Sequence, residues 1–204
     1  QIPQKENVLF IKADVNRLED ISGVFYAFSF KYVFHYAAVV GVKRTIDNPV
    51  MVLDDITGIK NILSLSKNTG VQRVFFSSSS EVYGEPVEMP QNEHTTPLNS
   101  RLPYAIVKNV GEAFLKSYKK EYDLDYTIFG DGSQTRTFCY VEDNIQACYN
   151  SFINNEVMND VINIGNDNEM TVLELAQTII RLSGSSSKIA VSYTHLRAHE
   201  TRHD

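Results

Sequence analysis

Short apolar runs alternate along the chain with longer segments whose apolar residues recur at helical spacing. The runs are rich in β-branched and aromatic residues and occupy 8–15, 32–38 and 73–80. The helical patterns between them cover 18–28 and 50–68, and Gly70 follows the second one where a glycine commonly ends a helix. Nearly all-apolar strands separated by helices predict an α/β fold with a parallel sheet covered on both faces.

The second half of the chain has a different texture. A helix is predicted from about Pro103 to Glu121, followed by a strand in DYTI. After Gly130 a polar, turn-rich stretch leads to further predicted elements, a helix at 142–154, a strand at 161–165 and a helix capped by Thr171 and Glu174. We therefore divide the chain into a Rossmann-like region (1–130), a partial substrate-binding region (131–191) and a tail (192–204).

Composition excludes several classes of protein. The 204 residues carry a net charge of −6, whereas surfaces that bind nucleic acid are strongly basic. No apolar run approaches the ~20 residues that a membrane helix requires, and the first residues show no secretory signal. Two cysteines, Cys139 and Cys148, fit no metal or redox spacing and are interpreted as reduced thiols. We interpret the chain as cytoplasmic.

Three residues form a candidate catalytic group. Tyr104 and Lys108 are four residues apart on one predicted helix, so their side chains leave the same face. The preceding apolar strand ends in Ser77–Ser80, and the carboxyl ends of parallel strands border the ligand crevice of such folds. A tyrosine with a pKa of ~10 is a weak base, but a neighbouring ammonium group favours its phenolate form. A hydroxyl, a phenol and an ammonium group could thus act on one carbinol.

Several motifs together resemble one family. SSSSEVYGEP, PYAIVKNVGE and GDGSQTRTFCYVEDN look like the extended short-chain dehydrogenase/reductase family, as do VFHYAA and VINIGNDNEMTVLELA. Members of this family are NAD-dependent nucleotide-sugar epimerases, dehydratases and decarboxylases. The resemblance implies a doubly wound Rossmann-like sheet with a smaller C-terminal substrate domain. It also implies NAD as cofactor, a nucleotide sugar as substrate and a homodimer in the complete enzyme.

The resemblance also implies a role for individual residues. Tyr104 would be the base, Lys108 would bind the nicotinamide ribose, and Ser79 would hydrogen-bond the sugar hydroxyl. The remaining implied contacts are with the cofactor at Asp14, Val15, Ala37 and Ala38, and with the substrate at Ser80 and Arg136. Without the resemblance, Asp14 would be a surface carboxylate at the end of a strand and Arg136 an ordinary loop cation.

Glu81 bears on the type of reaction. Sugar 4,6-dehydratases have a Thr-Asp-Glu triplet here, whereas this chain has Ser79, Ser80 and Glu81, which removes the expected general acid. The Ser-Glu pair with VYG is most similar to UDP-glucuronate decarboxylases, in which oxidation at C4 allows carbon dioxide to leave. Simple 4-epimerases need only oxidation and return of the hydride, so both outcomes stay open, and a sugar-nucleotide 4,6-dehydratase is kept as an alternative. Glu81 could equally be a turn carboxylate.

Three features of the sequence depart from the family. The chain has no Gly-x-x-Gly-x-x-Gly turn, so we expect it to begin near the family's third strand. Family members carry a long substrate-binding block at the position of Ile128–Gly130, whereas here DYTI runs directly into FGDGSQTR, so we expect this block to be deleted. His199–His203 fits the zinc motif His-Glu-x-x-His, but it ends one residue before the chain does, so we expect no metal and a non-native tail. An inert fragment is therefore an alternative to an active enzyme.

Overall fold

The computed structural model describes residues 7–85, 87–88, 91–130, 139–155, 157–166 and 170–189. Within them, four parallel strands form one sheet in the order in which they occur along the chain. The strands are β1 (Tyr32–His35), β2 (Arg73–Ser77), β3 (Asp125–Gly130) and β4 (Asp160–Asn163). Every neighbouring pair is parallel, as the apolar pattern predicted. The predicted α/β class is therefore confirmed.

Helices connect the strands and cover the sheet. They are α1 (Leu18–Ala27), α2 (Val42–Asp47), α3 (Pro49–Thr69), α4 (Pro103–Tyr122), α5 (Val141–Asn154) and α6 (Val172–Ser183), with a short 3₁₀ helix at Ser80–Tyr83. Proline occupies the first turn of α3 and α4, where its missing N–H costs nothing. Gly70 ends α3 with a φ of 76°, and Thr171 and Glu174 form the predicted capping box of α6. The sequence pattern did not predict α2 or the 3₁₀ helix.

The predicted strand at 8–15 is wrong. Residues 8–14 form no regular element and pair with none of the strands in the described part of the chain. Four successive apolar side chains of this segment are exposed, Val8, Leu9, Phe10 and Ile11. Their composition is typical of a buried strand, but a strand forms only where a neighbour accepts its backbone hydrogen bonds. The segment thus has the composition of a buried strand but pairs with no strand of the described sheet.

The core lies where α3 and α4 pack on β2. Phe76 of β2 is 2% exposed and belongs to the larger of two clusters of buried apolar side chains, together with Leu63 and Leu115. Gly111 of α4 faces the Phe76 ring so closely that an added Cβ atom would overlap it. This contact brings the backbone of α4 against the strand. Residues of α4 that are spaced four apart on this face can therefore reach the carboxyl end of β2.

β2 ends earlier than the apolar run suggested. The strand stops at Ser77, which pairs with Phe129, and the next two serines lie in irregular backbone before the 3₁₀ helix. β1 likewise ends at His35 instead of extending through Ala38. Both carboxyl ends thus open into short connecting segments at one edge of the sheet. None of the described helices is long and apolar enough to cross a membrane.

Candidate active site

α4 carries Tyr104 and Lys108 to the carboxyl end of β2. The Lys108 Nζ atom donates a hydrogen bond of 2.7 Å to the carbonyl oxygen of Ser77. The same atom lies 5.7 Å from the centroid of the Tyr104 ring and 4.9 Å from that of Phe76. Lys108 is buried and Tyr104 is half-buried. The structure therefore brings the predicted phenol, the ammonium group and the serine run together at one strand end.

The serines after β2 are held in different ways. The Ser79 hydroxyl caps the 3₁₀ helix by accepting a hydrogen bond of 3.3 Å from the Glu81 backbone N–H. Because a hydroxyl that accepts a bond can still donate its own proton, this cap is compatible with a hydrogen bond to a ligand oxygen. Ser80 is buried at the start of the 3₁₀ helix, and Glu81 beside it is half-buried.

Two buried basic groups, Lys108 and His35, lie beside the Phe76 ring. Burial lowers the pKa of Lys108 to about 8, while the negative charge of Asp55 partly opposes this shift. Burial also lowers the pKa of His35, at the end of β1, to about 4, and the charge of Lys108 adds to that effect. His35 is therefore neutral at neutral pH, and Lys108 is the main positive charge of this buried region. A cation there would favour the phenolate form of a neighbouring tyrosine.

The residues predicted to contact the adenine side of a cofactor lie on two connecting segments. Asp14 is exposed, and its carboxylate accepts a hydrogen bond of 2.9 Å from the Asn16 backbone N–H. Val15 is half-buried, and its carbonyl accepts a bond of 3.0 Å from the Asn61 amide of α3. Ala37, which is exposed, and Ala38, which is half-buried, follow β1.

Asp55 joins these two segments and was not predicted from the sequence. Its carboxylate accepts a hydrogen bond of 2.6 Å from the Val39 backbone N–H and one of 3.2 Å from the Asn16 amide. The signal was present, since Asp55 interrupts the apolar face of α3, where a buried carboxylate needs hydrogen-bond partners. Glu112 was also missed, although it lies on the face of α4 that carries Tyr104 and Lys108.

Two earlier expectations fall outside the described residues. Arg136, the predicted substrate-binding arginine, lies in 131–138, and the His199–His203 motif lies in the tail. In the described part of the chain, no group of three or more His, Cys, Asp or Glu side chains could hold a metal ion. Cys139 and Cys148 are both free thiols, and only Cys148 is buried.

The geometry agrees with the sequence relationships of the chain. Residues 2–129 match the NAD dependent epimerase/dehydratase family. This chain belongs to that family. The resemblance seen in the motifs is thereby confirmed.

Both epimerases and decarboxylases are among its curated relatives. A putative UDP-glucose 4-epimerase of Methanocaldococcus jannaschii is 30% identical over 83% of this chain and 66% of its own length. A UDP-N-acetyl-alpha-D-glucosaminuronate decarboxylase of Bacillus cytotoxicus is 30% identical over 77% of this chain and 60% of its own length. The chain therefore spans less than two thirds of the length of these relatives.

A solved structure supports the fold. The chain superposes on an epimerase from Methanothermobacter thermautotrophicus with a TM-score of 0.83 and 27% sequence identity. The similarity covers 93% of this chain and 67% of that protein. The Rossmann-like part of the fold prediction is confirmed by this likeness.

The described residues fit one end of the cofactor that the family name implies. An ammonium group has three N–H donors, and the bond to the Ser77 carbonyl uses one of them. Lys108 can thus bind ribose hydroxyls beside Tyr104. The pyrophosphate of a dinucleotide is usually held by a glycine-rich turn before a helix, and the sequence contains no Gly-x-x-Gly-x-x-Gly motif. Lys108 and Tyr104 are therefore the described residues that would hold the nicotinamide end.

Proposed function

We propose that this chain carries the sugar-oxidising site of a NAD-dependent nucleotide-sugar 4-epimerase or decarboxylase. The observation that supports the proposal is the placement of Lys108 against the Ser77 carbonyl, with Tyr104 one helical turn away and Ser79 two residues further along the strand end. A phenol, a cation and a hydroxyl are thus close in the fold at the carboxyl end of β2. A nucleotide sugar is the substrate class that both kinds of relative act on by name.

Each side chain has a part in moving one proton. The Tyr104 phenolate accepts the proton of the sugar C4 hydroxyl, and the Ser79 hydroxyl donates a hydrogen bond to the same oxygen. Lys108 has a pKa of about 8, so it is mostly protonated at neutral pH and stabilises the phenolate. Bound NAD would accept the hydride from C4 and return it later. The chain thereby provides the acid–base chemistry and the orientation of the sugar.

The fate of the oxidised sugar distinguishes the two candidate reactions. Release of carbon dioxide requires a substrate with a carboxylate at C6, such as UDP-glucuronate, whereas epimerisation needs only re-reduction from the other face. Ser80 occupies the position where dehydratases have an aspartate, so the proposal does not include dehydration. Glu81, half-buried beside Ser79, is the residue that we assign to the decarboxylase alternative.

Tyr104→Phe tests the proposal, because it removes the proton acceptor and leaves the ring in place. We expect NADH binding, followed by nicotinamide fluorescence, to stay close to that of the unchanged chain. Turnover of UDP-glucose or UDP-glucuronate should fall by about 10²–10⁴-fold, the usual contribution of a general base. Tyr122→Phe is the matched control, since Tyr122 lies on the same helix but is exposed and stacks under Lys67.

The results separate the alternatives. Release of carbon dioxide from UDP-glucuronate would establish the decarboxylase, and conversion of UDP-glucose to its 4-epimer would establish the epimerase. Turnover by Tyr104→Phe close to that of Tyr122→Phe would exclude Tyr104 as the base. An unchanged chain that neither binds NADH nor turns over either sugar would contradict the proposed function.

A further inference from the structure

Glu112 is a buried acid that the proposed chemistry does not use. Its side chain projects from α4 two helical turns after Tyr104, and the residue is 3% exposed. A carboxyl group in such a position requires a polar partner. It accepts a hydrogen bond of 2.6 Å from the hydroxyl of Ser78, which is itself buried. The ammonium group of Lys116 is more distant, at 4.0 Å, and is largely exposed.

The Ser78 bond lies where the strand gives way to irregular backbone. β2 ends at Ser77, which pairs with Phe129, and Ser78 is the first residue beyond the strand. Ser77, just before Ser78, supplies the carbonyl that accepts the hydrogen bond from Lys108, and Ser79 follows Ser78. Lys108 and Glu112 are four residues apart on α4, and they hold two successive groups of this segment, a carbonyl and a hydroxyl.

The packing of α4 on β2 sets the distance between helix and strand across which these two hydrogen bonds form. Gly111 lies between Lys108 and Glu112 in the sequence and abuts the Phe76 ring, which brings the helix close to the strand. At this distance a short serine hydroxyl reaches the longer glutamate side chain. The hydrogen bond between Ser78 and Glu112 is therefore part of the helix–strand interface. It lies next to the bond between Lys108 and the Ser77 carbonyl.

We propose that Glu112 is a positioning residue, which through Ser78 holds the backbone where the Ser77 carbonyl meets Lys108 and where Ser79 presents its hydroxyl. The importance of this position for catalysis rests on the proposed function. The connection from Glu112 through Ser78 and Ser77 to Lys108 does not depend on it. Burial raises the pKa of Glu112, which favours the neutral carboxyl form. Glutamine is therefore a close mimic, because it is neutral and keeps an acceptor for the Ser78 hydroxyl.

The pKa of Lys108, measured by NMR on the full chain with ¹³C-labelled lysine, tests the link without any ligand. A hydrogen bond to a carbonyl favours the ammonium form, so a displaced Ser77 carbonyl should lower the Lys108 pKa below its value of about 8. Ser78→Ala removes the bond and should lower that pKa by about half a unit or more. Glu112→Gln keeps the acceptor and should leave it nearly unchanged. Glu121→Gln, an exposed change on the same helix, is the matched control.

Two alternatives to a positioning role give different patterns. The other groups that face Lys108, namely His35 of β1, Asp55 of α3 and Tyr104 of α4, are the same in all variants. If only the charge of Glu112 mattered, Glu112→Gln would shift the Lys108 pKa and Ser78→Ala would not. If the bond only stabilised the fold, Ser78→Ala would lower the unfolding midpoint without moving the Lys108 pKa. Either pattern would overturn the proposal.

The measurement also separates this inference from the proposed function. No cofactor or sugar is added, so a failure of the chain to bind NADH would not alter the Lys108 titration. Both substitutions change few atoms, and circular dichroism would verify that the variants remain folded. A lowered Lys108 pKa in Ser78→Ala together with an unshifted pKa in Glu112→Gln is the result that supports the positioning role.

Discussion

Two regions of this chain were predicted to face the two ends of one cofactor, and they are built very differently. The interface between α4 and β2 buries Phe76, Lys108 and Glu112, and the polar groups of the last two bond to the serines at the strand end. The segment at 7–16 exposes the apolar side chains of Val8 to Ile11 and belongs to no sheet in the described part of the chain. It is attached to α3 mainly through hydrogen bonds of Asp55 and Asn61.

The difference shows which part of the site this chain specifies by itself. At the α4–β2 interface, apolar burial and hydrogen bonds support the same geometry, so the side chains that we propose as catalytic are placed by a rigid core. In the 7–16 segment, polar bonds and the half-buried Val15 hold a stretch whose apolar side chains at 8–11 are exposed. We therefore expect substitutions in the first region to have large effects and most substitutions in the second to have small ones.

Phe76→Ala should have the largest effect. The ring is almost fully buried between Gly111, His35 and Lys108, so its removal leaves a cavity that the rigid sheet cannot close. Such changes cost about 3–5 kcal/mol in the free energy of unfolding. Urea denaturation followed by circular dichroism measures this cost. A loss below about 1 kcal/mol would show that the interface is not the rigid core described above.

The pH dependence of stability tests the same interface through His35. Its pKa is lowered from 6.5 to about 4 in the folded chain, so the unfolded chain binds the proton more readily in this range. Stability is thus fully present above pH 6.5 and is lost as the pH falls toward 4. The shift corresponds to about 3 kcal/mol. His35→Phe should remove this part of the acid sensitivity in denaturation curves, whereas His94→Gln, an exposed control, should retain it.

Asp55→Ala should have an intermediate effect, because it cuts the main attachment of the second region. The partly buried Val39 N–H and the Asn16 amide would each lose an acceptor, which costs about 1–3 kcal/mol. Hydrogen exchange of the Val39 amide should become faster than in the unchanged chain. Asp54→Ala, one residue earlier on the exposed face of α3, is the control and should leave that amide protected. Equal hydrogen exchange of the Val39 amide in Asp55→Ala and Asp54→Ala would show that Asp55 does not hold this segment.

Phe10→Ser should have the smallest effect. The side chain is 64% exposed in the irregular segment, so its removal should change the free energy of unfolding by no more than about 0.5 kcal/mol. Loss of an exposed apolar group should also raise the solubility of the chain. A destabilisation close to that of Phe76→Ala would mean that the two regions are equally well packed. That result would contradict the difference in packing described above.

Local sequence signals predicted much of this fold. The proline at the start of α4, the glycine after α3 and the capping box of α6 act within one or two turns, and each of them lies where the pattern indicated. The strand at 8–15 was wrong because strand formation depends on a partner that composition does not reveal. The parallel order of the sheet followed from the alternation of apolar runs and helices.

The site was predictable in part for the same reason. Helical spacing alone placed Tyr104 and Lys108 on one face, and the apolar strand before Ser77 indicated where that face would point. Asp55 and Glu112 were missed because their partners are 16 and 34 residues away in sequence. A charged residue on an apolar helix face indicates a buried partner, but only the fold shows which group that partner is.

The most direct test of the account is hydride removal from the sugar C4 carbon. The full chain would be mixed with NAD and UDP-glucose, with and without deuterium at C4, and the absorbance of the reduced nicotinamide would be followed over one turnover. The account predicts that this absorbance appears, that deuterium at C4 slows it, and that deuterium at C3 does not. No absorbance, or one whose rate is indifferent to deuterium at C4, would contradict the assignment of this site.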